Sequence, residues 1–562
     1  MCAAVDICNL MAVMRRLLVL LLLVLTNHVT LKAQPMVDGV IPFFDSSTGC
    51  SLLSIDKSLW GKNYTAYISS NENIEQTVTI DGAKVDETLY TFCNVDADSR
   101  FCISTRSQGE VMTQELSFTF LPIMHIEGDF GYDYCNATVT FQNPGEIPVV
   151  MSALIKWRGG TTNAAGKNKR NYKIKLIDDK GEKKEYRFFG LRKDNVWILD
   201  AGQVDLSRVR NRAAADLWND FAHKPYYMNK EPEALSASRG EFVELFVNNR
   251  YHGVFNMCEP IDRKQMKLMK FNSQDGTIHG GLWKSTGWGY ATFWDKPGEY
   301  DNTSEKWNVF EVKYPEVDDL CPTDYSTLYN AIDFVSTSTD EEFVSCVDEY
   351  FDIPVLIDYY IFCNILNAFD ICGKNIYWAV YDKTTSKKLT PAMWDLDCTV
   401  GQNYTNNPLR PDYVRPDMSV LYPTRIISRL VELDANGFNT QVAERYSSLR
   451  SGLFSTDSLI DRYANLIQML MDSGAASREE QRWSYDSDIS GLTLNLQDEF
   501  EYIAEWISAR CGYLDDSWSC TSCIVEQYVD AFPAFVVNVY GQPVDDDYKG
   551  VVIMNGRKVM QR

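Results

Sequence analysis

Histidine is scarce in this chain. There are five in 562 residues, widely spaced, and they offer none of the ligand intervals of a zinc site. No Gly-x-Ser-x-Gly elbow with a triad in order is present, which disfavours a serine hydrolase. Net positive charge is missing too: 54 Lys and Arg face 77 Asp and Glu, for a formal charge of −23 and a pI near 4.7. Nucleic-acid binding needs a basic footprint that releases counterions from phosphate, so the balance argues against it. An acidic surface favours solubility and would repel free nucleotide unless the site itself were locally basic. Past the N-terminus no stretch approaches an uninterrupted apolar span, so no transmembrane anchor is expected. Internal repeats and low-complexity tracts are also absent. What is abundant is material for a core: 45% hydrophobic and 13% aromatic residues exclude a disordered or fibrous chain.

The segment from Arg15-Arg16 to Thr26 has a positive start and a short apolar run, followed by polar residues ending at Ala33. It predicts a secretory signal peptide over residues 1–33 and export to the periplasm, cell surface or medium, with Met14 an alternative start. Export permits disulfides. Fifteen cysteines less Cys2 and Cys8 leave thirteen, and Cys93/Cys102 and the Cys511, Cys520, Cys523 group are the expected bridged sets, with connectivity open.

Between residues 34 and 114, short alternating runs such as Thr77-Val-Thr-Ile80 and Leu89-Tyr-Thr-Phe92, separated by Asn, Asp and Gly, predict a small β-sandwich module. Apolar residues at Leu206, Val209, Ala213, Leu217 and Phe221 predict a helix over Asp205–Phe221, capped by Asp205 or Ser207. A hairpin is expected to turn at Asn248-Asn249. A mostly buried helix over Val355–Phe369 should deliver the chain to Asp370, with strands over Asn375–Tyr381 and Lys388–Trp394. Residues 424–512 read as helical, and residues 513–562 as a Cys-containing linker and a tail of two or three strands. Trp283, Trp288, Trp294 and Trp307 cluster in a Gly-rich insertion that suits a lid, a sugar-binding rim or core packing.

Chemistry concentrates at Asp370. It stands five residues before Asn375, and Trp394-Asp395-Leu396-Asp397 follows twenty residues later. In phosphoryl transfer an Asp-x-x-x-x-Asn loop lets the carboxylate take a hydroxyl proton while the asparagine reaches a metal, and a later Asp chelates the bridging metal. Such machinery also needs a phosphate cradle and a strand lysine upstream. Arg158-Gly159-Gly160-Thr161-Thr162 offers backbone amides and a guanidinium. Lys173 and Lys175 alternate with apolar residues in Asn171-Tyr-Lys-Ile-Lys-Leu176 and share one strand face. Paired glycosidase carboxylates are disfavoured, because Asp395 and Asp397 on one strand stand too close to flank a sugar bond.

The ordered set Arg158-Gly-Gly-Thr-Thr162, Asn171-Tyr-Lys-Ile-Lys175, Asp205 to Arg210-Asn211, Val243–Val254, Glu259-Pro-Ile-Asp262, Asp370-x4-Asn375 and Trp394-Asp-Leu-Asp397 resembles the spore coat protein H (CotH) kinase family. The resemblance covers residues 115–512. It implies an α+β fold with an atypical protein-kinase-like core, preceded by the β-sandwich module and followed by the short β tail. It implies ATP and Mg²⁺ or Mn²⁺ as cofactors and Ser/Thr phosphorylation of an exported protein. Asp370 becomes the catalytic aspartate, Asn375 and Asp395 metal ligands and Asp397 a weaker one. Arg158, Gly159, Gly160 and Thr161 with Lys173, or Lys175 as runner-up, become the ATP-binding set.

The sequence departs from the kinase pattern at Ala368-Phe369, where His-Arg is usual, and at Asp395-Leu-Asp397, where Asp-Phe-Gly is usual. No glutamate partner for the lysine is evident: Asp216 and Asp220 are short and Glu259 lies at a strand end. The tail, with Val539-Tyr-Gly-Gln-Pro-Val544 and Lys549–Val559, resembles the type IX secretion sorting segment of exported Bacteroidetes proteins. The alternative function is a non-catalytic adhesion or binding protein on the same fold, with a surface glycan or protein as ligand.

Overall fold

The structure is a computed structural model that describes residues 34–70, 76–85, 87–107, 110–317, 322–402, 415–518, 536–538, 550–554 and 557–561. The segment 1–33, expected to be a signal peptide, Cys520, Cys523 and the Val539–Val544 run lie outside the described residues. The chain is of mixed α+β class, with sheets first and helices later. It divides into two compact units.

The first unit comprises the described part of Met1–His125 with Thr140–Val150 and Phe246–Tyr251. A three-stranded sheet orders Pro35–Val37, Lys62–Ser70 and Thr88–Val95. A six-stranded sheet orders Phe43–Phe44, Cys50–Ser54, Glu110–Thr119, Phe101–Ser107, Gln76–Ile80 and Ala83–Lys84. Along Lys62–Ser70 the period of two is plain: Ala66 and Ile68 are buried while Thr65 and Tyr67 are exposed. Val37, Ile68 and Phe92 from the smaller sheet share a core with Val78, Ile103 and Leu116 from the larger. Two sheets closing one apolar core form a sandwich. The expected Cys93/Cys102 bridge is absent: both are exposed free thiols. They sit on strands of different sheets, Thr88–Val95 and Phe101–Ser107, with their side chains outside the shared core.

The second unit takes Ile126–Val139, Met151–Leu245 and His252–Arg562. Most residues of a closed barrel lie in this unit; its strand order is Ile123–Glu127, Cys135–Gln142, Val149–Arg158, Asn171–Ile177, Val196–Asp200, Arg250–Cys258 and Gly240–Val247. A five-stranded sheet orders Lys306–Trp307, Phe310–Tyr314, Gly281–Ser285, Ile376–Val380 and Thr390–Met393. The helices from Arg425–Glu432 through Leu496–Trp518 follow, so the last helix extends six residues past 512, the expected end of the helical region. The strands Val536–Asn538, Gly550–Met554 and Arg557–Gln561 form a three-stranded sheet.

Two helices differ from their sequence reading in ways that shape the site. The helix expected from Asp205 begins at Arg210, because Arg208 takes a left-handed φ of 64° that helix interiors exclude. Asp205 still closes the helix start: its Oδ2 accepts the Arg210 N–H at 2.7 Å and its Oδ1 accepts the Ser207 N–H at 2.9 Å. The helix expected through Phe369 ends at Ile365, because Asn367 turns left-handed at φ 49°. A 3-10 turn over Phe369–Ile371 then carries Asp370. At Asn248 and Asn249 both φ angles are positive, 50° and 58°, the geometry of a two-residue hairpin turn.

Candidate functional site

Asp370 is buried, with 4% relative exposure. Its Oδ2 accepts a hydrogen bond of 2.8 Å from Asn375 Nδ2, and its Oδ1 lies 3.2 Å from Lys374 Nζ. Burial pushes its carboxyl up to about 6, with Lys374 and Asn375 opposing the rise and Asp395 adding to it. Burial alone would lower the Lys374 ammonium, but Asp370 and Asp395 outweigh it and hold the group above the usual lysine range. Asn375 has a φ of 62°, and its N–H donates to Ser285 O at 2.9 Å. That bond ties the loop to the strand Gly281–Ser285, which carries Lys284.

Asp395 follows the strand Thr390–Met393 with a φ of 66°, a conformation a non-glycine residue adopts at some cost. Asn211 braces the segment: its Oδ1 accepts the Leu396 N–H at 3.1 Å, and its Nδ2 donates to Asp200 Oδ2 at 2.6 Å. Arg210 braces the next turn, donating to Thr399 O at 3.0 Å and Val400 O at 3.2 Å while paired with Asp205 and Glu499. Asp397 has a carboxyl well above the usual range, because of burial and then the charges of Asp395, Asp200, Asp370 and Asp205. Asp200 is raised by burial and by Asp395. These carboxylates lie within electrostatic reach of one another and oppose one another's ionisation.

The cations crowd in the same way. Lys173 and Lys175 lie on one face of Asn171–Ile177, both half-buried between buried neighbours. Lys173 is lowered to about 8, first by burial and then by Lys175, Lys313 and Arg158, with Glu316 opposing. Lys284 is also lowered to about 8 by burial, against the pull of Asp395, with Arg158 and Lys313 adding to the depression. Arg158 ends its strand with the guanidinium 5.0 Å from the Trp394 ring centroid. Lys175 lies over the Tyr134 ring at 4.6 Å.

The glycine turn after Arg158 is tied to the acidic group. Gly159 has a φ of 110°, and a Cβ there would stand 2.3 Å from Thr162 Oγ1, so the turn requires glycine. Asn171 Nδ2 donates to Thr162 Oγ1 at 3.3 Å, while its Oδ1 accepts the Ala201 N–H at 2.6 Å, one residue past Asp200. Gly160 is exposed, and Thr161 opens the 3-10 turn Thr161–Asn163.

Sequence reasoning gave no role to Lys284, Lys313, Asp200, Lys374 or Asn211, the last quoted only as part of the resemblance. Lys284 and Asp200 did leave a signal: each is a lone charge in or at the end of an otherwise apolar strand, Gly281-Leu-Trp-Lys-Ser285 and Val196-Trp-Ile-Leu-Asp200. The three acids considered as a lysine partner are engaged elsewhere. Asp216 pairs with Arg212, Asp220 with Arg462 and Glu259 with Arg239. The opposite charge that acts on Lys173 is Glu316. Of the four tryptophans, Trp283 and Trp307 are core residues. Trp294 lies under the Arg425 guanidinium at 4.6 Å, and Trp288 lies against Gly373 in the Asp370 loop.

Among the described residues, no three His, Cys, Asp or Glu side chains converge as a ready-made metal cage. Mg²⁺ is ordinarily held by one or two carboxylates together with phosphate oxygens and waters. Asn375, Asp395 and Asp397 supply oxygen donors of that kind, and the mutual opposition of the carboxylates is what a divalent cation would relieve. The donor chemistry therefore fits. Compared with known families, residues 155–514 match the CotH kinase protein family, and the chain belongs to that family. No curated protein matches the chain.

Proposed function

We propose that the chain is an exported atypical protein kinase, built on a kinase-like core, that transfers the γ-phosphoryl group of ATP to a serine or threonine hydroxyl of a secreted or surface protein. The supporting observation is the pairing of two like-charged groups: Arg158, Lys173, Lys284 and Lys313 on one side, and Asp200, Asp370, Asp395 and Asp397 on the other. Like charges within each group oppose the ionisation of Lys173, Lys284, Asp200, Asp370 and Asp397, and a nucleotide phosphate with a divalent cation satisfies both groups.

In this reading Asp370 accepts the proton of the acceptor hydroxyl, and Asn375 and Lys374 hold its carboxylate in place. A raised carboxyl suits that task, since a base poised near the working pH transfers protons most effectively. Arg158, Lys173 and Lys284 bind phosphate oxygens, and the exposed Gly159-Gly160 turn gives the backbone close approach. Asn375, Asp395 and Asp397 would hold the divalent cation, which when bound neutralises charge on the transferring phosphoryl group.

The test is incubation of residues 34–562 with γ-labelled ATP and Mg²⁺ or Mn²⁺, wild type beside Asp370→Ala and Asp395→Ala. Metal-dependent labelling of the protein or a generic acceptor, lost in both variants, is the expected result. No labelling, together with no thermal shift on adding ATP and metal, would overturn the reading and leave a binding protein.

A further inference from the structure

Glu479 is distant in sequence from every residue of the candidate site, yet three segments of the second unit meet on its carboxylate. It lies on the helix Ala475–Trp483 and is fully buried. Its Oε1 accepts hydrogen bonds from Lys169 Nζ and Arg208 Nε, both at 2.7 Å, and its Oε2 accepts the Val254 N–H at 2.8 Å. Both cations are buried as well. Gly253 lets the backbone come this close: its φ is 98°, and a Cβ there would collide with Glu479 Oε2. Around the carboxylate, Leu206 packs with Trp483 and Ile489, and the Lys169 N–H donates to Asp488 Oδ2 at 2.9 Å.

Arg208 carries the contact to the site. Its Nη1 donates to Gly202 O at 2.8 Å, Gln203 O at 3.1 Å and Asp205 O at 2.8 Å, so one guanidinium closes the turn between Asp200 and the helix Arg210–Phe221. Strand pairing ends at Asp200, and Arg208 holds a left-handed φ of 64°, a conformation that persists only where its surroundings impose it. The turn serves the acidic group at both ends. At its start the Gly202 N–H donates to Asp200 Oδ1 at 3.2 Å. At its end Asp205 fixes the helix start, from which Asn211 holds the Leu396 N–H and Arg210 holds the carbonyls of Thr399 and Val400. We infer that Glu479 is a positioning residue: by clamping Arg208 it fixes the turn from Gly202 to Arg208, and through that turn the Asp200 carboxylate and the Asp395–Asp397 segment. The inference rests on the reading of those acids as the cation-binding side of a nucleotide site.

The test separates positioning from stability in the full chain. Glu479→Gln leaves two buried cations without their carboxylate and should lower the melting temperature. Combining it with Lys169→Met removes an opposite pair together, which buried sites often tolerate, and should recover most of that loss while Arg208 still lacks its clamp. Hydrogen exchange, read well below both melting transitions, should then show the amides of Gly202, Arg208 and Leu396 exchanging about tenfold faster in the double variant than in wild type, with those of the helix Ile353–Ile365 unchanged. Affinity for ATP with Mn²⁺ should fall about tenfold in the same protein. Recovered melting with wild-type exchange at those amides would overturn the inference, because the carboxylate would then serve stability alone. So would loosened amides with unchanged affinity. If the double variant does not fold, Arg208→Lys takes its place: an ammonium opposite Glu479 keeps the charge pair but cannot also span three carbonyls. The same amides should loosen, and protection equal to wild type would overturn the inference. Failure of the wild-type chain to bind ATP with Mn²⁺ would sink the nucleotide reading instead, and exchange alone then decides whether Glu479 anchors the turn.

Discussion

Asn375 donates to the carboxylate of Asp370 over 2.8 Å, from a backbone held left-handed at φ 62°. The hydrogen bond fixes one carboxylate oxygen, and Lys374 stands against the other. If that carboxylate is a general base and positioner, Asp370→Asn keeps the size and the Asn375 contact but removes the basicity. It should lower kcat by about 10²- to 10⁴-fold, the usual contribution of a positioned base. The KM for ATP should change far less. Steady-state labelling at several ATP concentrations separates the two effects.

The pH dependence follows from the direction of the Asp370 shift. Its carboxyl is raised to about 6 from an ordinary 3.8, so the active, ionised form develops as pH rises through about 6. The value of kcat/KM should therefore climb along an acid limb centred there. Lys374→Met removes a charge that favours ionisation and should move that limb to higher pH. The linked effect on stability has the opposite sense. A carboxyl raised in the folded state favours folding while protonated, so that contribution is progressively lost between about pH 4 and pH 6. Asp370→Asn should then melt higher than wild type above pH 6, by up to about 3 kcal/mol in unfolding free energy. Urea titrations at pH 5 and pH 7.5 check the sign.

Lys173 and Lys284 come from different sheets, yet both are lowered to about 8 within reach of Arg158 and Lys313. A charge-assisted contact to phosphate is worth about 1.5 to 3 kcal/mol. Lys173→Met and Lys284→Met should each weaken ATP binding by roughly 10- to 100-fold. Lys175→Met, whose ammonium lies over Tyr134, should weaken it much less. Equilibrium titration with a fluorescent ATP analogue in the presence of Mn²⁺ provides the comparison.

How much of this was legible in the sequence depended on range along the chain. Asp370, Asn375, Asp395 and Asp397 lie within one short stretch, and their spacing, taken with the upstream glycine turn and strand lysines, suggested a shared task. The alternation that puts Lys173 and Lys175 on one face is equally local. Lys284 and Asp200 become meaningful only when the barrel strand Val196–Asp200 and the sheet strand Gly281–Ser285 are brought near the Asp395 segment, and no periodicity encodes that approach. The helix ends were obscured for another reason. Apolar spacing continues past Ile365 and begins before Arg210, while the boundaries are set by the left-handed backbones of Asn367 and Arg208. The cysteines show the converse error. Cys93 and Cys102 are close in sequence but sit on strands of different sheets.

Gly373, inside the Asp370–Asn375 loop, has a reason to be glycine that is packing and not backbone freedom. A Cβ there would stand 2.5 Å from Trp288 Cε3 and 3.0 Å from Cζ3, closer than real Cβ atoms come to a ring. Trp288 is half-buried and opens the 3-10 turn Gly289–Thr292, so the indole has limited room to retreat without moving that turn. Gly373→Ala should therefore force the ring and the loop apart, at a cost of about 1 to 3 kcal/mol typical of overpacking. If Asp370 acts as base, kcat should fall with it through loss of position. Trp288→Ala alone should cost less in activity than Gly373→Ala. The double variant should regain most of the activity lost by Gly373→Ala, because the clash has been removed even though the ring is gone. Thermal melts and labelling rates on the four proteins form a double-mutant cycle, and additive losses would show that the Trp288 contact does not constrain the loop.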